Sequence, residues 1–170
     1  GMQPEFTDFW RPVLLEARGS FDIGNIHSIG SDSSFFSAPY REFLDSYGHA
    51  DIPFWVTEAL LPTMPAPGQR APTGDQLARN TVTGFASALA DGADRIFNVG
   101  PHDPTGGPGP ESDAAFELLA RSIGGFSSAL RLSPSSTRFN LGDGTVVYVI
   151  WNGSGLPADV TGEVMTTGYD

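Results

Sequence analysis

Three short apolar runs, "FDIGNIHSIG" at 21–30, "IPFWVTE" at 52–58 and "DRIFNVG" at 94–100, are each followed by residues with helical periodicity. That order leaves few possible folds. A strand that leads into a helix before the next strand cannot close a tight hairpin; the crossover makes neighbouring strands parallel. Helices then cover the sheet, and covered strands read as continuous apolar runs, as these do. The chain reads as repeated β-α units up to about residue 131, which is the α/β class.

The helices show as stripes. Phe9, Val13 and Ala17 mark a short helix over 8–19 with Gly19 as its stop. A second covers 37–48, with Ser37 as N-cap and Gly48 past its end. Leu77, Thr81, Phe85, Ala88 and Leu89 line one face of a helix over 75–93. Ala115, Phe116, Leu119 and Ile123 do the same for 112–124. The Pro- and Gly-rich stretch "LLPTMPAPGQRAPTG" is a loop of the length usually tied to function or disorder. Beyond residue 131 the pattern changes. "STRFNLGDGTVVYVIWNGSG" predicts a β-hairpin around "GDG", and "DVTGEVMTT" a further strand. Consecutive strands imply an antiparallel sheet, so two units are expected, 3–131 and 132–170.

Composition removes several functions. Nine basic residues face twenty acidic ones, a formal charge of −11, which argues against a nucleic-acid partner. All nine are Arg, which excludes Schiff-base and P-loop lysine chemistry. The absence of Cys excludes disulfides and thiolate chemistry. No apolar run approaches the roughly 18 residues of a membrane span. His27, His102 and Asp103 lack metal-ligand spacing, and the glycines of "PHDPTGGPGPE" lack the strand–glycine–helix setting of a phosphate cradle. Asn152-Gly-Ser reads as a turn rather than a glycosylation site. No cofactor and no metal are expected, and no G-x-S-x-G elbow supports an α/β-hydrolase.

In parallel β/α structures, sites gather at the C-terminal ends of the strands. His27, Glu58 and Asn98 fall at or near such ends, at spacings of 31 and 40 residues. Strict alternation places Phe54, Val56 and Glu58 on one face, which a barrel would turn inward, leaving Glu58 half desolvated at its mouth. Asn25 shares the face of His27, and Asp22 lies opposite. Trp55 and Trp151 read as core.

"FDIGNIHSIG", "IPFWVTEAL" and "LARNTVTGFASALADGADRIFNVG" together resemble the last three β/α units of a TIM-barrel glycoside hydrolase. The resemblance is to the clan of retaining enzymes whose nucleophilic Glu ends the seventh strand, often in a "(I/V)W(V/I)TE" setting. The tail "VVYVIW" resembles the β-sandwich that often follows such barrels. The resemblance implies a partial (β/α) barrel running into a β-sandwich, with an oligo- or polysaccharide as substrate. It implies Glu58 as nucleophile, with His27, Asn25 and Asn98 binding substrate and Phe97 beside the position where the family supplies an aromatic. Such enzymes take their acid/base from an Asn-Glu pair on the fourth strand. Glu5, in "QPEF", follows no Asn, so the isolated chain is expected to be a truncated fragment without hydrolytic activity. Part of a barrel also exposes sheet edges and an apolar interior, so self-association is expected. The alternative from another class is a non-catalytic carbohydrate-binding or protein-interaction module.

Overall fold

The computed structural model describes residues 7–17, 19–29, 33–61, 72–99, 109–151 and 158. Helix α1 (Thr7–Glu16) leads into β1 (Gly24–Ile29), α2 (Ser37–Ser46), β2 (Phe54–Leu60), α3 (Gly74–Ala90), β3 (Arg95–Asn98) and α4 (Gly109–Ile123). Three strands follow without helices between them: β4 (Phe126–Ser133), β5 (Ser136–Leu141) and β6 (Val146–Ile150). The first three strands form a parallel sheet in the order β1-β2-β3, and the last three an antiparallel sheet in the order β4-β5-β6. The fold is therefore mixed α/β with two separate sheets. Among the described residues the parallel sheet is open, with β1 and β3 as edges, and no barrel closes.

One side of the parallel sheet is covered. Ile26, Phe54, Val56 and Ala59 are buried in one cluster with Tyr40 and Leu44 of α2 and Phe85, Ala86 and Ala88 of α3. Phe54 meets Tyr40 edge-on at 5.2 Å and lies under the Arg41 guanidinium at 5.9 Å. Arg41 also donates to the carbonyls of His49 (2.7 Å) and Ile52 (2.8 Å), which fixes the turn between α2 and β2. His49, buried, meets the Leu14 carbonyl at 2.9 Å through Nε2; a carbonyl only accepts, so the ring donates and ties α1 to that turn. At Gly84 an added Cβ would lie 2.5 Å from the Ser33 carbonyl, so only glycine lets α3 approach that segment.

Several sequence expectations shift here. Ser37 is the first helical residue of α2, not its cap; the cap is Phe36, with φ 54°, preceded by Phe35 with φ 56°. Burial of Phe35 edge-on against Phe85 (5.0 Å) holds the chain in this left-handed turn. Helix α3 opens on a capping box between Thr73 and Gln76 that the stripe alone does not reveal. The predicted boundary at 131/132 falls inside β4, because Gly124-Gly125 ends α4 and Phe126–Ser133 pairs with β5 in one ladder. The predicted hairpin forms: β5 and β6 pair antiparallel, with Leu141 N–H donating to the Thr145 carbonyl at 2.8 Å. The segment "DVTGEVMTT" lies outside the described residues.

Candidate functional site

The uncovered side of the parallel sheet carries the polar residues. On β1, Gly24, Ile26 and Ser28 are buried beneath the helices, so Asn25, His27 and Ile29 alternate onto the open side. On β2 the alternation breaks. Ile26 pairs with Val56 and His27 with Glu58, so Thr57 is an extra residue in β2. The same break appears against β3, where Val56 pairs with Ile96 and Ala59 with Asn98. It is a β-bulge, which re-aims the side chains that follow it. Thr57 Oγ1 donates to the Ile26 carbonyl at 3.3 Å. Beyond the bulge Glu58 leaves from the side opposite Phe54 and Val56, and Ala59 takes the buried side.

The expectation that Phe54, Val56 and Glu58 share a face is thus overturned. So is the position of Glu58 as the strand's last residue, since β2 continues through Ala59 and Leu60. The first has a plain cause, since a strict period of two cannot register an inserted residue; the second follows from the ladder with β1, which runs on to Ile29 and Leu60. Strand direction matches expectation, and without the bulge Glu58 would be driven among the helices.

The bulge brings Glu58 to His27. Glu58 Oε2 lies 3.4 Å from His27 Nδ1, with the side chains 45% and 39% exposed. A pair this exposed contributes about 0–1 kcal/mol to folding, so its consequence is orientation rather than stability. Asn25 is on the same side, two residues before His27. Asn98 is not: it pairs in register with the buried Ala59, while Phe97 on the other side meets Trp55 at 5.7 Å between ring centres. The structure therefore does not bring Asn98 to the His27–Glu58 pair, because adjacent strand residues point to opposite faces.

Sequence reasoning passed over two neighbours. Trp55, expected in the core, is half-buried on the open side, with the Arg95 guanidinium 5.5 Å above its ring. Arg95 and Phe97 alternate with Ile96 and Asn98, and that period of two was the available signal. Two cavities, of about 840 and 250 Å³, lie between β3, α3, α4 and β4 and between α1, β1 and α2. Neither has His27 or Glu58 in its wall. No group of three or more metal-ligating side chains occurs among the described residues, and no helix among them is long and apolar enough to cross a membrane.

No protein-family model matches the chain, and no curated protein matches it. Among solved structures it is similar to a glucosidase from Croceicoccus marinus, with a TM-score of 0.44 at 15% identity over 82% of this chain. The match takes in 36% of the glucosidase, so the chain spans about a third of that protein's length.

Proposed function

We propose that Glu58 is the nucleophile of a retaining glycoside hydrolase and that His27 and Asn25 bind the sugar beside it. The observation that carries this reading is the 3.4 Å approach of His27 to Glu58 at the C-terminal ends of parallel strands, produced by the bulge at Thr57. A carboxylate there is half exposed, with a second polar group beside it. In the first step Glu58 attacks the anomeric carbon as the bond to the leaving oxygen breaks, forming a glycosyl ester; water then hydrolyses that ester. His27 Nδ1 stands 3.4 Å from one carboxylate oxygen, and in this reading its other ring nitrogen meets a sugar hydroxyl. The substrate is an oligo- or polysaccharide, and no metal enters the chemistry.

The mechanism needs a second carboxylate about 5–5.5 Å away to protonate the leaving group. Glu58 is the only carboxylate within β1, β2 and β3. The nucleophilic half is testable alone with activated fluorinated aryl glycosides, whose leaving groups depart without protonation. The expected result is a mass increase of one glycosyl unit that maps to Glu58 and disappears in Glu58→Gln. No labelling across a panel of sugars, or labelling that survives Glu58→Gln, overturns the proposal.

A further inference from the structure

We infer that the open side of the parallel sheet is a self-complementary docking surface for a second copy of this chain. Ile29, Phe97 and Val99 are 53%, 47% and 40% exposed there, around the half-buried Trp55. An apolar patch on a sheet whose two edges are unpaired among the described residues is a site of association. What selects a second copy is where the charges stand.

Parallel strands give this side a direction. Arg95 lies at the N-terminal end of β3, in register with Trp55. Glu58 lies towards the C-terminal end of β2, in register with His27. The surface is thus positive at one end and negative at the other, with apolar side chains between. Two copies stacked face to face about a two-fold axis perpendicular to the strands run their strands in opposite directions. Arg95 of each copy then lies over the end that carries Glu58 of the partner subunit, and the contact is made twice. Stacked sheets sit about 10 Å apart, a gap that an arginine reaching toward a glutamate spans. Over the rest of its surface a chain of net charge −11 repels its copy, so this face is where association meets least opposition. The inference uses Glu58 only as a charge; the dimer covers the sugar site of the proposed function, which is then open in the monomer alone.

The test is the mass of the chain by sedimentation equilibrium across a dilution series, for the wild type and three variants. The wild type should be a reversible dimer. Arg95→Glu should weaken association at least about tenfold by setting like charges against each other. The double variant Arg95→Glu with Glu58→Arg should restore it, since the swap rebuilds both pairs. Phe97→Asp, at an exposed site, should abolish the dimer while leaving the circular dichroism spectrum unchanged, which covers the case that Arg95→Glu does not fold. A monomer at every concentration, whatever else it captures, overturns the inference. So does a dimer indifferent to Phe97→Asp, or a charge swap that fails to restore what Arg95→Glu removed.

Discussion

Single residues in this chain are governed mainly by which side of a sheet they leave from. Tyr40 points into the covered side and is 6% exposed. Burial pushes its phenol from 10.0 up to about 12, against the opposing pull of the Arg41 charge and a backbone hydrogen bond at Asn25. The folded chain therefore keeps a proton that the unfolded chain releases. The stability this contributes is complete below pH 10.0 and is lost as the pH rises towards about 12. Relative to Tyr40→Phe, the wild type should lose about 2–3 kcal/mol across that window. Urea unfolding at stepped pH measures it, and parallel curves for the two proteins would mean that the phenol is not desolvated. Glu58, by contrast, was legible as a polar residue closing an apolar run, but not the direction in which it points.

Among the elements, β2 shows what local pattern can and cannot encode. Its apolar wall, its parallel direction and its place between two helices all follow from the order of strands and helices. The bulge does not. Alternation read without it puts Glu58 beside Phe54 and Val56, where an ionised carboxylate would be desolvated against helices. The chain avoids that cost by looping Thr57 out, and this permits a direct test. Removing Thr57 restores a regular strand in which Val56 stays covered, Glu58 stays uncovered and Ala59 stays covered. The deletion should keep a cooperative thermal transition, with the midpoint lowered by only a few degrees. A non-cooperative product would show that Thr57 is a regular member of the ladder. The stripe of α4 is legible in the sequence, whereas β4 follows a double glycine at which the period switches from helix to strand, and the stripe does not signal that switch.

At the scale of the whole molecule, the antiparallel sheet is joined to helix α3 by a side-chain latch. Arg131 on β4 donates to both oxygens of Asp91, at 3.0 and 2.8 Å, and to the Ser87 carbonyl at 3.0 Å near the end of α3. The forked geometry matches a carboxylate in a way an ammonium does not. Arg131→Ala should cost about 1–3 kcal/mol, and Arg131→Lys should recover only part of it. Equilibrium unfolding in urea reads both, and an unchanged midpoint in Arg131→Ala would mean the latch contributes nothing. No pattern in the sequence pairs Arg131 with Asp91, since forty residues and two elements separate them.

The sequence by itself determined the classes of element, their order, the parallel sense of the first sheet and the antiparallel sense of the second. These depend on periodicity and connection length, which are local properties of the chain. Only the tertiary structure decided that Glu58 meets His27 and that Asn98 does not, and that Trp55 and Arg95 share the open side with them. Those outcomes depend on register across strands, and register is settled by which side chains can be buried together.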